Sequence, residues 1–254
     1  MIGLGLSSWE AAARMRGGPH AMLGPALLGF WDAERVDRMA LAGNNVTSWT
    51  DLINGYTVSQ ATSGFKPLWE STSFGGRPGV RFDGTDDYLE MAPSPLPSGS
   101  APYEVWALVT QTALAADAGS KMAFSSGGTS GALSRRVLRA PSAGVNRASI
   151  TVPDGTSFAT VRDDVTDFSG GPFICRSVFA DGASALQVNG GTSVTGTGTL
   201  AGTTSNRLRF GASSPTTASN FWQGLISAIL VTDPLSAAQA AQLTRWGKDR
   251  GAIA

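Results

Sequence analysis

From about residue 26 onward the chain alternates apolar and polar positions in short runs: NVTSWTD, YTVSQAT, GVRFDG, DYLEM, YEVWALVTQ, RASITV, FICRSVFAD, ALQVNG, RLRFG and GLISAILVTD. Gly, Asn, Asp or Pro separates most of them. Alternation with period two places successive side chains on opposite faces of a strand, and regular turn punctuation between such runs predicts an antiparallel β-sandwich. Ala180-Asp181-Gly182-Ala183 and Val188-Asn189-Gly190-Gly191 put Asp-Gly and Asn-Gly where a tight turn needs positive φ. No repeat of roughly 20–50 residues is present, which argues against a solenoid or a propeller.

The two ends break the alternation. Ser7-Ser8-Trp9-Glu10 reads as a capping box ahead of AAARM and predicts a short helix, stopped by Gly17-Gly18-Pro19. Residues 1–25 are therefore expected to form an arm or linker, either an attachment tag or a frayed terminus packed on the domain, and residues 26–254 the sandwich. Near the other end, Ser236 and Gln239 form a second capping box before AAQAAQLTRWGKDRG. Leu243 and Trp246 share one face of that helix, Lys248 and Arg250 suit its negative pole, and Gly251 is the expected left-handed C-terminal cap. The helix is expected to lay Leu243 and Trp246 on the sandwich.

Composition narrows the function. Apolar residues are 42% of 254, enough for a core, and no apolar run is long enough to span a membrane. Net charge is zero, so nothing gathers a nucleic acid. Arg135, Arg136 and Arg139 are the one basic cluster and read as a solvated strand or loop edge. The single cysteine, Cys175, rules out an intrachain disulfide and, inside the apolar run PFICR, reads as a buried inert thiol. The opening residues lack a basic start and an uninterrupted apolar stretch, so no secretory signal is expected.

The stretch FGGRPGVRFDGTDDYLEM, residues 74–91, carries the main chemical question. Asp83-Gly84 ends one strand, and Asp86-Asp87-Tyr88 starts the next. Asp side chains bond nearby backbone N–H groups, which makes DGTDD a turn. The same carboxylates are oxygen ligands, so calcium at Asp83, Asp86 and Asp87 is the alternative. It would need a further carboxylate, with Asp163, Asp164, Asp167 and Asp181 as candidates. His20 is the lone histidine and falls in the Gly-Pro break, which excludes a Ser-His-Asp triad or a histidine metal site within the sandwich. Gly75-Gly76-Arg77-Pro78-Gly79 lacks the Lys-Ser/Thr of a phosphate loop.

WDA (31–33), VTSWTDLINGYTVSQAT (46–62), FGGRPGVRFDGTDDYLEM (74–91), FADGASALQVNGG (179–191), LRFGAS (208–213) and WQGLISAILVTDPLSAAQAAQLTRWGKDRG (222–251) form an ordered series. The series resembles the laminin-G-like branch of the concanavalin A-like lectin/glucanase superfamily. With a short arm in front, it also looks like head spike, head fibre and tail fibre proteins of tailed phages and gene transfer agents. The resemblance implies an all-β jelly roll whose glycan ligands lie on the concave sheet or on loops at the sandwich edge. The glucanase motif E-x-D-x-x-E is absent, and all five glutamates (Glu10, Glu34, Glu70, Glu90, Glu104) precede residue 105.

These readings give a non-enzymatic, multi-copy adhesin for host surface polysaccharide. It would be made in the bacterial cytoplasm and mounted on a particle through residues 1–25, which contact other particle proteins. A structural decoration or spike-base protein is the second reading, and a polysaccharide depolymerase the third. Among the seven tryptophans most are expected in the core. Tyr56 and Trp69, beside loops, and Phe221, next to the buried Trp222, are the expected sugar platform.

Overall fold

The computed structural model describes residues 18–111, 121–127, 135–139, 147–153, 158–166, 171–200, 206–213 and 217–253, with backbone only at 135–139, 153 and 158. The predicted helix after Ser7, Trp9 and Asp167 lie outside them, as do the side chains of the Arg135–Arg139 cluster.

The strands form two layers. The first sheet contains β1 (Leu27–Asp32), β5 (Leu68–Phe74), β6 (Arg77–Asp83), β8 (Tyr103–Gln111), β13 (Pro172–Phe179), β14 (Ser184–Val188), β15 (Val194–Gly196) and β17 (Gln223–Thr232). The second contains β2 (Met39–Ala42), β3 (Asn45–Thr50), β4 (Thr57–Ser59), β7 (Leu89–Met91), β9 (Met122–Gly127), β10 (Arg135–Arg139), β11 (Ser149–Pro153), β12 (Phe158–Arg162) and β16 (Arg207–Phe210). Among the described residues two α-helices accompany them, α1 (Pro19–Leu23) and α2 (Ala237–Gly251). All ladders between these strands are antiparallel, as the alternation predicts.

β17 is the spine of the first sheet. One edge pairs with β8, and β8 pairs in turn with β13, β14 and β15. The other edge is shared between β6, opposite Gln223–Ile226, and β1, opposite Ala228–Thr232. In the second sheet the order runs β2, β3, β4, β7, β16, β9, β10, β11, β12. A pairing of Asn45 with Leu68 stitches the layers at one edge.

Alternation along β8 explains the layers. Tyr103, Val105, Ala107 and Val109 enter the core between the sheets, with Ile226, Ile229 and Val231 from β17 and Phe210 from β16. Trp106 and Leu108 point the other way, into a second apolar cluster with Phe30, Leu225, Leu230 and Leu243 beneath α2. Trp31 and Trp49 meet the Phe210 ring edge-on at 5.1 and 5.9 Å, the geometry aromatic quadrupoles favour.

The capping box of α2 forms as expected. Gln239 N–H donates to the Ser236 hydroxyl, and the Gln239 side chain accepts from Ser236 N–H. Leu243 is fully buried, and Trp246 stands edge-on to Phe30 at 5.8 Å. The helix end differs from expectation. Gly251 is still helical, and Ala252 takes the left-handed position at φ 50°. A Cβ on Gly251 would stand 2.9 Å from Ile253 and 3.3 Å from Pro172, so that glycine serves close packing. The Gly-Pro break also differs: Pro19 starts the single turn of α1, a position where a missing N–H costs nothing, and Leu23 is buried in the cluster under α2. Both predicted tight turns are present, with Gly182 at φ 68°, Asn189 at 50° and Gly190 at 73°.

Candidate functional site

The outer face of the second sheet is polar. Leu89, Leu208 and Phe210 turn inward, so Tyr88, Glu90, Arg207 and Arg209 turn outward. One rung of paired residues crosses the sheet in register: Ser48, Ser59, Glu90, Arg209, Ser125, Arg136, Thr151 and Thr160. Ser125 and Thr151 are fully buried on this rung. The Ser125 hydroxyl donates to the Ala212 carbonyl, whereas Thr151 Oγ1 has no hydrogen-bond partner among the described residues.

Arg209 is nearly inaccessible, at 2% exposure. Its Nε donates to Glu90 at 2.9 Å and its Nη1 to the Ser213 carbonyl at 2.8 Å, and its guanidinium lies 5.2 Å from the centre of the Tyr88 ring. Phe65 and Phe221 flank Tyr88 at 6.2 and 6.4 Å, with ring planes tilted by 32° and 39°. Phe65 is exposed, and Tyr88 and Phe221 are half-buried. The three rings form a row beside the Glu90–Arg209 pair of the rung. Three separate segments bring them together: Tyr88 N–H donates to the Phe65 carbonyl, and Phe221 bridges to Met122 at the start of β9.

The DGTDD segment leads directly into Tyr88, the middle ring of this row, and is a tight turn. Asp83 Oδ1 accepts from Thr85, Asp86 and Asp87 N–H at 2.8, 3.3 and 3.5 Å, and Asp87 Oδ2 accepts from Asp83 N–H at 3.0 Å. Gly84 takes φ 83° and packs so tightly that a Cβ would stand 2.7 Å from Gln223. Lys121 Nζ donates to the Gly84 carbonyl. The turn is thus held by aspartate side chains.

Carboxylate oxygens of Asp83, Asp86 and Asp87 lie within 4.8 Å of one another, a spacing that one ion with oxygen ligands at about 2.3–2.6 Å could span. Three carboxylates make only half of the usual six to eight ligands. None of the other named aspartates among the described residues joins the cluster. Asp163 holds its own turn to Val165 and Thr166, Asp164 pairs with Arg162, and Asp181 accepts from Leu200 N–H. Crowding of like charges and burial push the Asp87 carboxyl up to about 6, burial being the larger cause.

Of the three sequence-predicted platform residues, only Phe221 lies in the ring row. Tyr56 and Trp69 are half-buried against the core, and the Trp69 indole N–H donates to the Ala33 carbonyl. Tyr88 and Arg209 were missed. Alternation in DYLEM and RLRF exposes their faces, but nothing local places β16 beside β7. Cys175 is fully buried, and burial pushes its thiol up to about 12, far from a reactive thiolate.

No family model matches the chain, and no curated protein matches it either. Solved structures do share its sandwich. The enzymatically active domain of tailspike protein 2 of bacteriophage CBA120 superimposes with TM-score 0.52 at 16% identity, over 83% of this chain and 32% of that one. Domain 4 of AbnA, an extracellular arabinanase of Geobacillus stearothermophilus bound to arabinotriose, gives TM-score 0.58 at 15% identity, over 86% and 98%. Trypanosoma rangeli sialidase bound to sialic acid gives 0.56 at 11% identity, over 93% and 38%. The chain therefore spans about a third of the tailspike and sialidase chains and nearly all of the arabinanase domain. These likenesses establish the β-sandwich fold.

They also correct the expectation that the chain is not an enzyme, because the sandwiches it matches belong to chains named as enzymes. The expectation leaned on the missing E-x-D-x-x-E motif. Its absence removes that one arrangement of carboxylates along a single strand and says nothing of pairs assembled from separate strands.

Proposed function

We propose that this chain is a carbohydrate-directed sandwich of a phage or gene-transfer-agent particle, at a head spike or fibre. It engages host surface polysaccharide through the outer face of its second sheet. The observation that carries the reading is the row Phe65–Tyr88–Phe221 beside the Arg209–Glu90 pair. Sugar rings stack their C–H faces on aromatic rings, while their hydroxyls meet charged and amide groups nearby. Arg209, buried and fixed by Glu90 and the Ser213 carbonyl, backs the Tyr88 ring and holds Glu90, so these two half-buried groups meet a ligand already ordered. The shared sandwich with a tailspike domain and an arabinotriose-bound domain adds support by analogy of fold. Single contacts of this kind are weak, and many copies on one particle, attached through residues 1–25, would make adhesion useful. Only Val36, Phe65, Leu68 and Val165 are exposed large apolar residues among the described ones, a sparse surface for a purely structural decoration role.

Polymer cleavage is a second reading, favoured by the enzymes among the structural neighbours. One assay addresses both. Multivalent protein is passed over purified envelope polysaccharides from candidate hosts, with and without EDTA, and polymer length is measured afterwards. Saturable retention that Tyr88→Ala and Phe221→Ala each reduce about ten-fold is the expected result. Retention unchanged in both variants would remove the ring row from the reading. Shortened polymer would assign cleavage. Loss of retention in EDTA would assign calcium to Asp83, Asp86 and Asp87, and retention in EDTA would leave them as a turn.

A further inference from the structure

A cleft of about 680 Å³ opens between α2 and the β13–β14 hairpin, on the side of the sandwich away from the ring row. Its size falls in the usual range of small-molecule sites. Its walls are rich in hydrogen-bond donors. On the sheet wall, Arg176 is held in place from behind. Glu104, 1% exposed, takes its Nε at 2.9 Å and its Nη2 at 2.6 Å, and the guanidinium lies 5.4 Å from the centre of the Trp106 ring. Among the described residues Arg176 Nη1 has no acceptor. Asn189 beside it spends its Oδ1 on Ile174 N–H, at 3.0 Å, which leaves its amide N–H groups to donate.

The helix wall supplies Thr244, Arg245 and Lys248. Gly190 brings the two walls together, since a Cβ there would stand 2.9 Å from Thr244. Neither Arg245 nor Lys248 has a salt bridge among the described residues, and Asp249 is the single acid lining the cleft. Cations near the end of α2 also suit its negative pole, which explains part of their placement. It does not explain a guanidinium fixed on the facing sheet with one amino group left over. A guanidinium already fixed by a buried carboxylate loses little freedom on meeting a second anion.

We propose that this cleft binds a small organic anion, a carboxylate or phosphate on a body of about monosaccharide size, with Arg176 and Asn189 on one side and Arg245 and Lys248 on the other. The proposal is independent of the polysaccharide face. It is tested by calorimetric titration of the full chain with glucuronate, glucose 6-phosphate and glucose, at low and high salt. At least one anion is expected to bind saturably, more weakly at high salt, with glucose silent. Binding of glucuronate alone identifies a carboxylate site, and of the phosphate alone a phosphate site. The double variant Arg245→Gln/Lys248→Gln, at exposed and half-buried helix positions, should keep the melting temperature and weaken binding about ten-fold. Arg176→Lys keeps a cation on Glu104 but loses the forked geometry, and should weaken binding while the protein stays folded. Tyr88→Ala should leave binding unchanged. Failure of both anions to bind, equal binding of glucose, or an undiminished affinity in the double variant would overturn the site.

Discussion

The outer faces of the two sheets meet different fates. On the first sheet, α2 covers the outer face, and Trp106, Leu108, Leu225 and Leu230 are buried there as deeply as the residues of the main core. On the second sheet, Arg209 and Ser125 are buried against the Ser213 and Ala212 carbonyls, but Glu90 and the Phe65–Tyr88–Phe221 row beside them reach the surface. The difference shows in the sequence. The centres of YEVWALVTQ and GLISAILVT, namely VWALV and AILV, are continuously apolar, as strands buried on both faces are, whereas RLRF alternates. A covered face is spent on stability, and an uncovered one is available for ligands.

Substitutions on the two faces should therefore separate stability from binding. The largest stability loss is expected for Leu243→Ala, which empties a fully buried site between α2 and the first sheet, about 2–5 kcal/mol. Denaturant unfolding measures it, and a change below about 1 kcal/mol would mean that the helix is not an integral cover. Glu104→Ala should cost about 3 kcal/mol, because Arg176, the Trp106 indole N–H and Leu235 N–H would lose their shared acceptor together. A much smaller loss would show that water replaces the carboxylate easily.

The Asp83–Asp87 turn gives a pH-dependent effect. The folded-state value for Asp87, about 6, lies above the ordinary 3.8, so the folded protein holds this proton more tightly than the unfolded chain does. That stabilisation is complete below about pH 4 and is lost as pH rises through 6, a difference on the order of 3 kcal/mol. Melting temperature should fall between pH 4 and 7 in EDTA. Asp87→Asn, which keeps an acceptor for Asp83 N–H, should flatten that part of the profile. An unchanged profile would take the effect away from Asp87. The smallest stability effect belongs to the ring row: Tyr88→Ala should shift unfolding by less than about 1 kcal/mol while reducing polysaccharide retention. A loss as large as that of Leu243→Ala would make Tyr88 a packing residue and undo the contrast between the faces.

Much of this molecule was legible in local sequence. The strands around Asn45–Thr50, Arg77–Asp83, Tyr103–Gln111, Pro172–Phe179 and Gln223–Thr232 follow from alternation, and the start of α2 follows from Ser236 and Gln239. Strands such as Met39–Ala42, Leu68–Phe74 and Met122–Gly127 were not anticipated. Their side chains are short, polar or mixed, and ladder bonds to neighbours, rather than their own pattern, hold them extended. The left-handed cap at Ala252 was hidden for a related reason. Gly251 was the better residue for it, but close approach to Ile253 and Pro172 uses that glycine inside the helix.

The sequence by itself determined an all-β sandwich closed by a C-terminal helix, a buried and unreactive Cys175, and a turn at DGTDD. Each is set by neighbours within a few residues: the period of two, the reach of an Asp side chain to the next N–H groups, and the capping box. Only the tertiary structure decided which aromatic rings stand together. Phe65, Tyr88 and Phe221 are separated by long stretches of chain, and Arg209 reaches Tyr88 because β16 pairs with β7. Such pairings depend on which strands share a sheet, and that follows from burying the whole core at once rather than from any single stretch of residues.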